Sequence, residues 1–163
     1  MDSGALIKAF VVGMCATLLM DLLNFLGAKL ELVAQFRPSM LGRWVTRLVR
    51  GEFLLADIRK APAAKGELVI GELTHYLIGG TLAVFFVLLA QATGLPVTNI
   101  VFAIIYGVFT SVFAWFVLFP SYGFGVMGKK GPPHMKPLKT SLYGHFNFGL
   151  GLGLFFNLPH WLG

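Results

Sequence analysis

The sequence predicts an all-α membrane protein: a four-helix transmembrane bundle with a basic amphipathic helix in its first cytoplasmic loop. Three observations lead there. The chain is 56% hydrophobic and only 12% charged, where a soluble domain carries roughly 25% charged residues, and its mean hydropathy is +0.78. Four stretches, at residues 5–28, 67–91, 98–119 and 141–158, are long enough to cross a bilayer, which requires about 20 apolar residues. The basic residues, finally, fall almost entirely on one side of these stretches. Of 13 Lys and Arg, eight lie between the first and second stretch, four between the third and fourth, and only Lys8 elsewhere. That asymmetry is the positive-inside signature, so both basic loops are expected in the cytoplasm and both termini outside. The net charge of +6 is then a matter of topology, and a nucleic-acid partner is not implied. All 163 residues form one integral-membrane domain.

Ala9, Gly13, Thr17, Asp21, Asn24 and Ala28 recur at steps of four or three along the first helix, which places them on one face. Small faces let membrane helices approach closely, so this stripe should look inward. The segment lacks the basic leader of a signal peptide and is expected to be retained. Cys15 is the only cysteine, which excludes an internal disulfide and any Cys-rich metal site.

The first loop contains an amphipathic stretch at residues 39–50, where Leu41, Trp44, Val45 and Leu48 alternate with Arg43, Arg47 and Arg50. Such a helix suits the headgroup layer, with Trp44 at the interface and the three arginines on anionic lipid. Ala61-Pro62-Ala63-Ala64 breaks structure before the second span.

Gly71, His75 and Gly79 share a face of the second helix, with Glu72 one turn before His75; Ser141, His145, Gly149 and Gly153 do the same in the fourth. The shared His-aromatic-x-x-Gly pattern suggests two related helical hairpins. Gly149-x-x-x-Gly153 offers either a surface for a homodimer or a larger membrane complex or a packing surface within the chain. The third helix brings Thr110, Ser111 and Trp115, and the Pro/Gly break at residues 120–125 could cover the cytoplasmic mouth.

Depth gives the sharpest functional signal. Counted from the cytoplasmic ends, Asp21, Glu72, His75 and His145 fall at roughly 7–12 Å, taking 1.5 Å per residue. A charge at the centre of a membrane helix costs about 2.5 to 3.5 kcal/mol on insertion scales. Such residues persist where they face a bundle interior and mark relays, substrate paths or metal sites. Asp21, Glu72, His75, Tyr76 and His145 are therefore the candidate site.

The residues also carry a resemblance. Ala16-Thr17 with Met20-Asp21, Gly42-Arg43-Trp44, Glu72 with His75-Tyr76 and Gly79, Pro120 with Gly123 and Gly125, and Ser141-Leu142 with His145 and Phe148-Gly149 occur in this order. The set resembles a family of small bacterial inner-membrane proteins of the domain of unknown function 2938 type. The resemblance covers nearly the whole chain and implies a four-helix protein of the bacterial inner membrane; it implies no activity. A family histidine before the Asp-Ile of the first loop is replaced here by Ala56.

Three chemistries fit the cluster. Glu72 and His75 form a Glu-x-x-His pair, the spacing by which bundles aim two ligands at one metal. With Asp21 and His145 they would make a mononuclear Fe, Mn or Zn centre, with Tyr76 beside it. This reading ranks first. A proton-coupled transporter or relay ranks second, since Asp, Glu and His in one layer are relay material. A bis-His haem b on His75 and His145, in an electron-transfer or anchor subunit, ranks third. A purely structural reading sets Asp21 against a histidine and Glu72 at a helix start. Interhelical hydrogen bonds in membranes average only about 0.6 kcal/mol, poor compensation for two buried acids. His134 reads as a solvated loop residue, and His160 beside Trp161 as an interfacial anchor. Spacing gives no support to a hydrolase built from Ser111 or Ser141 with His145.

Overall fold

The computed structural model describes residues 3–158, and among them there are helices and turns but no strand. The first helix, α1, runs Ser3–Lys29; α2 is Pro38–Leu48; α3 is Glu67–Thr93; and α4 is Ile100–Phe113. The α4 backbone continues through a π-helical turn, Ala114–Leu118, and a last turn, Phe119–Ser121. Two 3₁₀ turns follow before α5, Pro137–Phe156. The π turn has a local cause. Pro120 brings no N–H to the ladder, and widening the preceding turn lets Phe119 N–H reach back to Ala114 O.

Three helical stretches are long and apolar enough to cross a membrane: Ser3–Lys29, Glu67–Thr93 and Ile100–Ser121. The expected fourth span is occupied by α5, which is not one of them. Its Lys139, Thr140, Ser141, His145 and Asn147, together with four glycines, lower its hydropathy. Pro137 starts this helix four residues earlier than expected, at a position where its missing N–H costs nothing.

The chain divides into two compact units. The first contains the described residues up to Asn24, then Tyr76–Thr110, and those from Tyr143 onward. Four helical segments pack there through small residues. A Cβ on Gly13 would strike the Gly79 carbonyl, and one on Gly79 would strike the Thr17 hydroxyl, so α1 and α3 touch backbone to backbone. Gly151 meets Ala16, seating α5 on α1, while Gly107 and Gly149 bring α4 against α5. Between α3 and α4 the contact is aromatic: Phe86 lies 5.2 Å from the rings of both Phe102 and Tyr106, and Tyr106 OH donates to Leu82 O at 2.7 Å. The inward stripe of α1 is as expected, with Ala9 and Thr17 each 1% exposed and Asn24 buried. Leu18, Leu22, Leu77 and Phe109 point outward, the face that a lipid solvent covers.

The two readings of the small-residue step in α5 are decided here. Gly149 and Gly153 are consumed inside the fold, against Ala103, Ile104 and Ile100 of α4. The pattern read as a dimer surface is an intramolecular crossing. His160 and Trp161 lie outside the described residues.

The second unit contains Phe25–His75 and Ser111–Leu142. Within it α2 crosses the first turn of α3 so closely that a Cβ on Gly42 would strike Glu67 O, and one on Gly71 would strike Pro38 O. Met40, Ile58, Tyr122 and Phe124 form its core, with Trp44 and Phe119 packed against them. Leu55 N–H donates to Ser121 O at 2.9 Å and Ile58 N–H to Tyr122 O at 3.0 Å. The Pro/Gly break is thereby fastened to the first loop. Gly123, at φ 80°, takes a left-handed conformation where a Cβ would also meet Ala56 O.

Candidate functional site

Asp21, Tyr76 and His145 belong to the first unit; Glu72 and His75 belong to the second. All five are half-buried. Asp21, His75, Tyr76 and His145 each have an interaction partner in the fold.

The best-defined polar contact in the first unit is on α5. His145 Nδ1 lies 2.8 Å from Thr110 Oγ1, and Thr110 Oγ1 lies 2.6 Å from Gly107 O. A carbonyl oxygen can only accept, so the single hydroxyl proton of Thr110 goes to Gly107. The hydroxyl oxygen must then accept from His145, which puts a hydrogen on Nδ1 in either charge state. In the neutral ring Nε2 is then the acceptor nitrogen. Thr110 is 2% exposed, which holds this arrangement away from water. Gly107 allows it, because α4 approaches the α5 backbone at His145 with no intervening side chain.

Two residues further along α5, Asn147 Nδ2 donates to Asn24 Oδ1 at 3.2 Å, both residues being buried. Gly144 leaves room for the Asn24 amide. This pair joins α5 to the small face of α1 that also carries Asp21.

In the second unit His75 lies against Phe36, ring centroids 4.6 Å apart and planes 34° apart. Phe36, in the loop before α2, had no sequence signal to mark it. Trp115 Nε1 and Ser141 Oγ are buried with no hydrogen-bond partner among the described residues.

The metal centre loses its geometric basis. Among the described residues no three His, Cys, Asp or Glu side chains group so as to hold a metal ion. The Glu-x-x-His spacing of Glu72 and His75 aligns two groups on one helix, but spacing alone brings no third ligand to them. His145 turns Nδ1 to Thr110 and His75 stacks on Phe36.

The basic helix also differs from expectation. Arg43 donates to both oxygens of Glu67 at 2.8 Å and to the carbonyls of Ile58 and Ala61 at 3.0 Å. Arg43 and Glu67 are 14% and 15% exposed, so this guanidinium is spent inside the fold and not on a lipid headgroup. Its hydrogen bonds to Glu67 raise its pKa further above the ordinary arginine value. Arg47 pairs with Glu52 at 2.6 Å. Trp44 donates Nε1–H to Phe53 O at 3.0 Å and packs on Tyr122, where an interfacial anchor was expected.

Long apolar helices, glycine-mediated crossings and polar residues turned inward define a helical membrane protein with a polar interior. The chain belongs to the family described as protein of unknown function DUF2938, which matches residues 10–157. No curated protein and no solved structure matches it.

Proposed function

We propose that this is a multi-pass protein of the bacterial inner membrane, with α5 as a fourth span and both termini outside, that moves protons through its helix bundle, alone or coupled to a solute. His145 accepts and releases the proton at Nε2, and Asp21 and Tyr76 serve it in the first unit. Glu72 and His75, one turn apart on α3, form a second acid–imidazole pair that exchanges protons within the second unit. The observation that carries this reading is the Thr110–His145 bond, which leaves Nε2 as the acceptor nitrogen of the neutral ring. Acids and imidazoles of this kind inside membrane helices serve proton pathways elsewhere. The twelve-to-one distribution of basic residues supports the orientation.

The test is proton flux. Purified protein is reconstituted into liposomes that trap a pH-sensitive dye, and a potassium gradient with valinomycin supplies the driving force. The native protein acidifies or alkalinises the lumen faster than protein-free liposomes do. His145→Gln and Asp21→Asn return the rate to that background. Native protein no faster than empty liposomes, or His145→Gln as fast as native, sinks the proposal.

A further inference from the structure

Three basic residues of the second unit are held by carboxylates, and two of the others meet at one pocket. Arg43, Arg47 and Arg59 each have a carboxylate within 2.8 Å. Lys29 and Lys136 have none among the described residues. Lys29 Nζ sits 4.6 Å above the Phe25 ring, and Lys136 Nζ donates to the Glu31 backbone carbonyl at 2.9 Å. Both lysines line one pocket of about 500 Å³ together with Phe25, Val33, Glu31 and His134.

The walls of this pocket are built rather than incidental. Ala34 N–H donates to Thr140 Oγ1 at 3.0 Å, and Thr140 N–H donates to Lys136 O at 2.9 Å. The chain leaving α1 is thus bonded to the start of α5. Among the described residues three non-glycine residues have a left-handed φ, and two of them are in the lining: Glu31 at 57° and Lys136 at 43°. The Lys136–Glu31 bond ties these two strained residues together. Strained backbone of this kind persists where surrounding structure enforces it, and it concentrates at ligand clamps.

The surroundings say what would fit. The pocket opens at the end of α1, a helix able to cross a membrane. Phe25, Leu30 and Leu32 beside it are 45%, 70% and 45% exposed. Apolar surface leading into a pocket with two lysines lacking a carboxylate partner matches a molecule with acyl chains and a negative head.

We infer that this pocket binds the phosphate headgroup of an anionic phospholipid, with Lys29 and Lys136 donating to the phosphate oxygens and Phe25, Leu30 and Leu32 against the acyl chains. The single acid in the lining, Glu31, leaves the pair of lysines in excess. The inference rests on the membrane assignment alone and is independent of proton flux.

The test is native mass spectrometry of the purified protein in mild detergent, with phosphatidylglycerol and phosphatidylcholine supplied in equal amounts. The native protein retains phosphatidylglycerol in preference. Lys29→Gln and Lys136→Asn each weaken that preference about five-fold, the scale of one lysine near a charged membrane surface, while Arg50→Gln leaves it intact. Asn is chosen at 136 because it tolerates a left-handed backbone, and melting curves check that each variant is folded; should Lys136→Asn not fold, Lys29→Gln decides. A doubly substituted protein that keeps the native preference overturns the inference, as does a preference that follows Arg50. Displacement of the lipid by equimolar inorganic phosphate also overturns it, assigning the pocket to a soluble phosphate ester.

Discussion

The hairpin α1–α3 and the hairpin α4–α5 repeat one another in packing and differ in chemistry. Ala9, Gly13 and Thr17 in α1 have the spacing of Ala103, Gly107 and Ser111 in α4. His75, Gly79, Leu82 and Phe86 in α3 have the spacing of His145, Gly149, Leu152 and Phe156 in α5. The contacts repeat as well: Gly13 meets Gly79 in the first hairpin, and Gly107 meets Gly149 in the second. Phe86 and Phe156, which correspond, touch each other with centroids 5.7 Å apart. Equivalent residues meet in this way at a two-fold axis. Across the same alignment Asp21 corresponds to Trp115, Glu72 to Leu142 and Tyr76 to Phe146. The carboxylates and the phenol belong to one half only. Packing that works in the second half with Trp, Leu and Phe has no need of them in the first, which argues against a merely structural role.

The largest effect should come from the residues that break this symmetry. Glu72→Gln is expected to lower proton flux about a hundred-fold, the scale of losing one proton-transfer group. The corresponding change in the other half, Leu142→Gln, should leave flux within about two-fold, since no proton-transfer group is lost there. Equal losses at both positions would mean that the comparison separates nothing. Thr110→Val comes next. It removes the acceptor for His145 Nδ1 and orphans that donor, so the pH dependence of flux should move while the maximal rate falls by less than in His145→Gln. An unmoved pH profile would detach Thr110 from the site.

The glycines test the symmetry itself. Gly79→Leu forces side-chain atoms into the Thr17 side chain and Gly149→Leu forces them into the α4 backbone, a cost of about 1 to 3 kcal/mol or more where nothing can give. Both should lower the melting temperature in detergent by similar amounts. A tolerated Gly149→Leu beside a destabilising Gly79→Leu would end the description of two equivalent crossings.

How much of this was legible in the sequence depends on how local each feature is. The inward face of α1 was readable because small residues recur every turn, and that recurrence is the packing surface. The start of α2 was readable from amphipathic alternation. Arg43 differs from that reading, because the same alternation serves a helix on lipid and a helix packed on protein. Only the partner decides, and Glu67 is 24 residues from Arg43. Gly149 and Gly153 left two readings open for the same reason: a small-residue step is identical whether the facing helix belongs to this chain or another. His145 was identified by its depth, but its bond to Thr110 depends on the register of α5 against α4, which no single-helix pattern encodes. The metal reading failed at that point too, since helical spacing aligns two ligands and says nothing of a third.

The Arg43–Glu67 pair sets the smaller effects. Arg43→Ala leaves the Glu67 carboxylate and two carbonyls without their donor, and breaking a buried pair costs about 3 to 5 kcal/mol. With 14% and 15% exposure water makes up part of that loss, so about 2 kcal/mol is expected, read as a lower melting temperature with flux preserved. Arg43→Lys should recover only part of it, because a lysine cannot donate to both carboxylate oxygens in the same plane. The pair of Asp57 with Arg59 gives the smallest effect. The Arg59 guanidinium holds the Asp57 carboxyl below its ordinary pKa, so its contribution is present above the ordinary aspartate range and is lost as pH falls through the lowered value. Asp57→Asn should therefore leave the melting temperature at neutral pH almost unchanged and shrink its decline on acidification. An equally steep decline in Asp57→Asn would place the acid-sensitive contact elsewhere.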